Sequence, residues 1–206
     1  IITAEAGATD ADVARFARNN LRGGLEFLLG IPGTIGGGIR MNSGAFGSEF
    51  KDVLIDVMAI NHLGQFKTFT NKELGMKYRG LEISEEWIFC SARLKSFKDE
   101  KINIENKMKK IIALRKEAQP TGVKTGGSTF KNPIGNKAWK LIDEAGCRGF
   151  RIGGAMISEK HCNFLINVGG VNSQNIEDLG EEVRRRVMNN SGVKLEWEIK
   201  RVGRKI

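Results

Sequence analysis

Seven glycines fall within eighteen residues, in Gly30-Ile31-Pro32-Gly33-Thr34-Ile35-Gly36-Gly37-Gly38 and then Ile39-Arg40-Met41-Asn42-Ser43-Gly44-Ala45-Phe46-Gly47. Backbone without Cβ can present N–H groups to an approaching phosphate. The run fits neither of the glycine patterns of nucleotide-binding turns, GxGxxG and GxxxxGK[ST], so it reads equally as an anion cradle or as tight turns between packed elements. A second stretch, Lys124-Thr125-Gly126-Gly127-Ser128-Thr129-Phe130-Lys131-Asn132-Pro133, puts a hydroxyl beside glycine with amine and amide donors within four residues. A solvated turn is its more ordinary reading. Arg79, in Lys77-Tyr78-Arg79-Gly80, offers a planar fork for a carboxylate, although a lone arginine is more often a surface residue. His161, just ahead of an apolar run, is a better candidate than His62, which sits in a turn. Arg184-Arg185-Arg186 reads as a solvated helix face, and Cys90, on an apolar stretch, as buried.

The elements that position these residues follow from periodicity. Val13, Phe16 and Ala17 recur at helical spacing behind Thr9 or Asp10, predicting a helix over 11–20, and a short helix is expected over 25–29. Residues 53–60 and 65–70 flank Asn61-His62-Leu63-Gly64 as a β-hairpin, and 87–94 is a further strand. After Phe97 the chain turns polar, and 99–117 reads as an amphipathic helix with Ile104, Met108, Ile111 and Ile112 on one face. Beyond Pro120 come a helix over 137–145, short strands near 150–157 and 163–168, a helix over 172–189 ended by Ser191-Gly192, and a strand over 194–202. On that strand Glu196 and Glu198 share a face, so alternation does not choose between them. The fold class is α+β, with the domain boundary near residue 100.

Composition bounds the function. The 206 residues are 40% hydrophobic and 28% charged, with no apolar run near the ~18 residues of a membrane span, which excludes integral membrane and wholly disordered readings. Lys and Arg number 33 against 24 Asp and Glu, and the +9 balance suits a nucleic acid, an acidic membrane face or an anionic small molecule. The 15 aromatics are dispersed without an aromatic-basic stacking pattern, which makes a nucleic-acid module the weaker alternative. Cys90, Cys147 and Cys162 are odd in number and far apart, so neither a disulfide framework nor a metal site is expected, and a reducing cytoplasm is. The chain opens on Ile1-Ile2-Thr3 in mid-pattern, without a secretory signal, and reads as the later part of a longer polypeptide.

The two glycine segments, taken in order with Lys77-Tyr78-Arg79 and with Leu195-Glu196-Trp197-Glu198-Ile199-Lys200-Arg201-Val202-Gly203, closely resemble the motifs of the UDP-N-acetylenolpyruvoylglucosamine reductase family. Gly149-Phe150-Arg151-Ile152-Gly153 and 158–167 are similar too, so the resemblance covers essentially the whole chain. Members of the family begin with a further small FAD-binding domain to which nothing here corresponds. One branch carries a tyrosine-bearing loop between its arginine and serine motifs. Here the step from Arg79 to Ser128 is 49 residues and Tyr78 is the only tyrosine, which matches the shorter branch.

The resemblance implies an FAD-contacting α+β domain over 1–100, a smaller α+β substrate-binding domain over 101–195, and a C-terminal strand, 196–206, returning to an active site between them. It implies FAD as cofactor, NADPH as co-substrate and reduction of the enolpyruvyl ether of a UDP-sugar, in a bacterial cytoplasmic monomer making peptidoglycan precursors. No nucleic acid, membrane or metal is implied. Ile31, Pro32, Gly33, Thr34, Gly36, Gly37, Asn42, Gly44 and Ala45 match cofactor-binding positions. Arg79, Ser128 and Glu198 match the catalytic ones: charge on the substrate carboxylate, proton donor to C2, and a carboxyl kept protonated or oriented beside the developing enolate. Tyr78, Arg79, Lys131, Asn132 and His161 match substrate contacts. Another FAD-linked oxidoreductase of the same flavin-binding fold, acting on a hydroxy acid, is the alternative enzyme.

Overall fold

The computed structural model describes residues 1–170 and 172–203, and forms two compact units, Ile1–Arg115 and Lys116–Ile206. The last three residues of the expected 196–206 segment lie outside the described residues.

In the first unit β1 (Ile2–Glu5) leads into α1 (Asp10–Asn19), the two-residue β2 (Arg22–Gly23), a 3-10 turn (Glu26–Gly30) and α2 (Ile35–Arg40). The short β3 (Gly44–Ala45) and β4 (Ser48–Glu49) form a small hairpin before α3 (Phe50–Val53). Then follow β5 (Leu54–Ile60), β6 (Phe66–Thr70), α4 (Asn71–Leu74), β7 (Ile88–Leu94), β8 (Phe97–Lys98) and α5 (Lys101–Ala118). Strands β1, β7, β5 and β6 lie side by side in that order, all antiparallel. The β5–β6 turn is set locally: the Asn61 side-chain oxygen accepts from the N–H groups of Leu63 and Gln65, each at 3.0 Å, and Gly64 takes φ +76°. Thr9 caps α1 by accepting from the Asp12 N–H at 3.1 Å. Val57, Ala59, Ala92 and Leu94 of the sheet share one core with Val13, Ala14 and Ala17 of α1 and Ile104 and Met108 of α5.

The second unit carries β9 (Lys124–Ser128), α6 (Ala138–Glu144), β10 (Arg151–Ile152), β11 (Ala155–Ile157), β12 (Phe164–Asn167) and α7 (Ser173–Ser191). Its antiparallel sheet runs β10-β11-β12-β9. Leu141, Ile142, Leu179, Val183 and Val187 of the two helices share its core with Ile157 and Leu165. Asn172 caps α7 on the Asn175 N–H at 2.9 Å, and Gly192 ends it in the left-handed conformation.

Several expectations are corrected. Phe16 is exposed, because the side of α1 that meets the core is Val13, Ala14 and Ala17, small residues that let the helix approach closely. Ile112 is also exposed, since it stands about 100° around α5 from Ile111, off the stripe of Ile104, Met108 and Ile111. Cys90 is only half-buried on β7. The expected strand over 194–202 reduces to one antiparallel bridge, Phe130 to Trp197. Its ladder is blocked on both sides: Pro133 has no N–H to extend it, and Gly127 leaves the extended region at φ +84°. The composition shift at residue 100 precedes α5, whose Ile104 and Met108 pack in the first core, and the units divide after Arg115.

Candidate functional site

The glycine run is divided between packing and open backbone. The Gly36 N–H donates to the Ala6 carbonyl at 2.9 Å, Ile35 to Ala8 at 3.0 Å and Asp10 to Gly33 at 3.1 Å, which fastens the run to the loop between β1 and α1. A Cβ on Gly36 would lie 2.9 Å from the Ala6 Cβ, and one on Gly38 would overlap the Phe50 ring. These two glycines therefore answer to close packing. Pro32, Gly33 and Thr34 stay exposed, and the N–H groups of Gly33 and Thr34 have no acceptor among the described residues. Gly37 is exposed, while Ile31, Gly36, Gly44 and Ala45 are half-buried.

Asp10 lies directly beneath this turn. It is fully buried, neither carboxyl oxygen has a hydrogen-bond partner among the described residues, and a Cβ on Gly33 would sit 3.2 Å from its Oδ2. Desolvation pushes its pKa from 3.8 up to about 7.

Asn42 joins two of the motifs. It is fully buried at φ +39°; its Nδ2 donates to Glu49 Oε2 at 2.7 Å and to the Lys77 carbonyl at 3.2 Å, and its Oδ1 accepts from the Lys51 N–H at 3.0 Å. The side chain thus ties the glycine run to the turn that carries Arg79. That turn is closed by paired backbone bonds between Lys77 and Gly80, at 3.0 and 3.2 Å. Arg79 occupies it at φ +56°, a conformation of order 1–3 kcal/mol above the ordinary regions for a residue with a Cβ. Of the four non-glycine residues with positive φ among those described, Asn42, Phe46 and Arg79 lie in these two motifs. Arg79 is half-buried with its guanidinium carbon 5.0 Å from the exposed Tyr78 ring.

In the second unit the C-terminal segment that carries Glu198 docks on the stretch just beyond Ser128, opposite Thr129, Phe130 and Lys131. Ser128 ends β9 opposite Phe164. Beyond it, Thr129 donates to the Asn163 carbonyl at 2.8 Å, and the buried Asn163 amide accepts from Phe130 N–H at 2.9 Å and donates to its carbonyl at 2.8 Å. The C-terminal segment then docks: Lys131 N–H donates to the Glu196 carbonyl and Glu198 N–H to the Thr129 carbonyl, both at 2.8 Å. The two glutamates differ in surroundings. Glu196 is 74% exposed with Lys131 Nζ at 3.6 Å, whereas Glu198 is half-buried. A recess of about 190 Å³ opens between β9 and β12, with Lys124, Thr125 and Asn167 in its walls and Ile176 and Ile199 across it.

Two expected contacts have structural work. Asn132 accepts the Ala138 N–H at 3.0 Å and so caps α6. The half-buried His161 ring packs edge-on to Phe164 with centroids 4.9 Å apart, and its Nδ1 accepts from the Asn163 N–H at 3.3 Å. Burial lowers its pKa and favours the neutral imidazole. Asp10, Asn163 and the pairing of Gly180 with Trp197 were not legible as site features, although Asn163 lies within the 158–167 motif. Among the described residues no helix is long and apolar enough to cross a membrane, and no group of His, Cys, Asp and Glu is arranged to hold a metal ion.

Residues 1–70 match the model of an FAD binding domain, and residues 119–202 that of the UDP-N-acetylenolpyruvoylglucosamine reductase C-terminal domain. The UDP-N-acetylenolpyruvoylglucosamine reductase of Paramagnetospirillum magneticum is 54% identical over 98% of this chain, and that of Rickettsia typhi 53% over 94%. The chain spans 66% and 65% of those two proteins, just under two thirds of their length. The crystal structure of the reductase from Thermus caldophilus superimposes with a TM-score of 0.86 at 36% identity, over 97% of this chain and 71% of that one. Motifs, fold and relatives agree along both units, and the chain belongs to the UDP-N-acetylenolpyruvoylglucosamine reductase family.

Proposed function

We propose that this chain is the FAD-contacting and substrate-contacting part of an NADPH-dependent reductase that converts the enolpyruvyl ether of UDP-N-acetylglucosamine to UDP-N-acetylmuramate, a bacterial cytoplasmic step toward peptidoglycan, and that it acts as a monomer. The observation that supports the reading is the bond from the half-buried Glu198 to Thr129, whose carbonyl accepts the Glu198 N–H one residue beyond the strand end at Ser128. The residues present fit the cofactor. The open N–H groups of Gly33 and Thr34 suit its phosphates, and the packing of Gly36 and Gly38 holds that backbone in place. Bound there, FAD would supply hydride chemistry between NADPH and the enolpyruvyl group.

The remaining chemistry falls to the protein. Addition at C3 leaves an enolate spread over C2 and the carboxylate, so fixed positive charge and donors aimed at those oxygens lower the barrier. In this reading Arg79 provides the charge, held in one conformation by its closed turn. Ser128 gives its proton to C2, forming the C–H bond that completes reduction, and recovers a proton from solvent. An aliphatic hydroxyl is a weak acid, so this step requires a strongly basic carbon in a site shielded from water. Glu198, as the neutral acid, donates toward the same charge without repelling it. Lys131 adds positive charge three residues beyond Ser128, Tyr78 lies beside Arg79, and the +9 balance favours a UDP-linked carboxylate and a dinucleotide phosphate. Asn132 and His161 contribute by holding the chain on either side of this stretch, Asn132 through Ala138 and His161 through Asn163.

Ser128→Ala tests the assignment. Reduction of bound flavin by NADPH should stay nearly unchanged, while reoxidation by the enolpyruvyl substrate slows by ~10²–10⁴-fold. Equal slowing of both half-reactions, followed by stopped-flow absorbance, would remove Ser128 from the chemistry.

A further inference from the structure

The segment that carries Glu198 has little backbone to fix its register. Among the described residues one bridge, two 2.8 Å backbone bonds and a longer one from the Ile199 N–H to the Thr129 carbonyl at 3.5 Å join it to the 129–131 stretch, and the ladder is blocked at Pro133 and Gly127. Each such bond adds little net stability, whereas a slip of one residue would turn Glu198 to the opposite face. The register must come from side chains.

Those side chains converge on Trp197. Its indole packs against the Phe130 ring with centroids 4.9 Å apart, and its Nε1–H donates to Glu181 Oε1 at 3.0 Å. Arg201 Nη1 lies 3.2 Å from the same carboxylate and 3.5 Å from Glu177, with its guanidinium carbon 4.9 Å from the indole ring. Arg184 Nε donates to the Leu195 carbonyl at 2.9 Å, and the Leu195 side chain is fully buried. The indole also lies against Gly180, in the middle of α7, where any Cβ would overlap the ring. Glycine inside a helix is less favourable than alanine, and Gly180 has no positive φ to account for it. Room for the indole does account for it.

We infer that Trp197, seated in the notch left by Gly180 and tied to Glu181, is a positioning residue that sets the register of the C-terminal segment and so places Glu198 beside the Ser128 strand. This rests on the reading of Glu198 as the acid that acts on substrate.

The test uses the FAD-loaded protein with Gly180→Ala, Trp197→Phe and Glu198→Gln, singly and with Gly180→Ala in the Glu198→Gln background. Two readouts are taken: stopped-flow half-reactions, and hydrogen–deuterium exchange of residues 194–200. Gly180→Ala should raise exchange in that segment and slow substrate-driven reoxidation by about tenfold or more, with NADPH-driven reduction changed less than about twofold. Trp197→Phe, which keeps a ring in the notch, should fall between Gly180→Ala and wild type. In the Glu198→Gln background, Gly180→Ala should slow reoxidation by less than about twofold further, because the group it displaces is already disabled. Full additivity of the two changes, or unchanged exchange and reoxidation in Gly180→Ala, would overturn the inference. If Glu198→Gln alone leaves reoxidation intact, the acid assignment fails instead, and the exchange data still decide whether Trp197 holds the segment. Should Gly180→Ala fail to fold, Glu181→Ala removes the indole acceptor without overpacking and should raise exchange in the same segment.

Discussion

Asp10→Asn should remove a pH-dependent loss of stability. In the folded protein Asp10 titrates at about 7 against its ordinary 3.8, because burial penalises its charged form and neither oxygen has a partner among the described residues. Its position in the first turn of α1 favours an anion by only ~0.3–1 kcal/mol, too little to offset that penalty. The sign follows from proton binding. Between pH 3.8 and about 7 the folded state holds a proton that the unfolded state has released, so stability falls as pH rises through this window and levels off above it. At 1.36 kcal/mol per pH unit the full loss is on the order of 4 kcal/mol, of which about 3 kcal/mol falls between pH 5 and 8. The asparagine leaves a buried amide short of partners, at about 1–3 kcal/mol, but that cost does not vary with pH. Urea unfolding of both proteins from pH 5 to 8 isolates the effect, since contributions from all other carboxylates cancel in the difference. The gap between them should shift by about 3 kcal/mol in favour of the variant as pH rises. Parallel stability curves would refute the reasoning and show that Asp10 finds a partner in the folded protein.

The two glutamates of the C-terminal segment should separate cleanly. Glu198→Gln should slow substrate-driven flavin reoxidation by at least ~10²-fold, and Glu196→Gln, whose side chain is exposed on Lys131, should change it by less than about threefold. The reverse ranking in the same half-reaction would overturn the assignment. Gly38→Ala forces a methyl into the Phe50 ring and should destabilise the first unit by about 1–3 kcal/mol, read as a lowered thermal midpoint. An unchanged midpoint would mean that the glycine run is not held by packing.

Features controlled by neighbouring residues were legible in the sequence. The Thr9 cap, the Asn61 turn and the Gly192 terminus all act within a few residues of the chain, and the structure has each of them. Features set by partners distant in sequence were not. Asp10 reads as an ordinary helix-start acid until the Gly33 turn covers it, and Gly180 as a weak helix position until Trp197 fills the space above it. Helical spacing put Phe16 and Ile112 on apolar sides, but how closely a neighbour approaches decides how wide a buried stripe is. The final strand failed for the same reason: alternation over 194–202 is present, while its partner offers only the residues between Gly127 and Pro133. The glycine run, equally an anion cradle or a set of turns by mechanism, divides residue by residue between open backbone at Gly33 and close packing at Gly36 and Gly38.

The most direct measurement follows both hydrogens added to the substrate. FAD-loaded protein, with NADPH carrying deuterium at the transferable position, is mixed anaerobically with UDP-N-acetylglucosamine enolpyruvate, and the reaction is repeated with ordinary NADPH in deuterated water. The account predicts that flavin absorbance returns as substrate is added, with label at C3 of the product in the first experiment and at C2 in the second. A flavin that stays reduced in the presence of this substrate, or a product without solvent-derived hydrogen at C2, would contradict it.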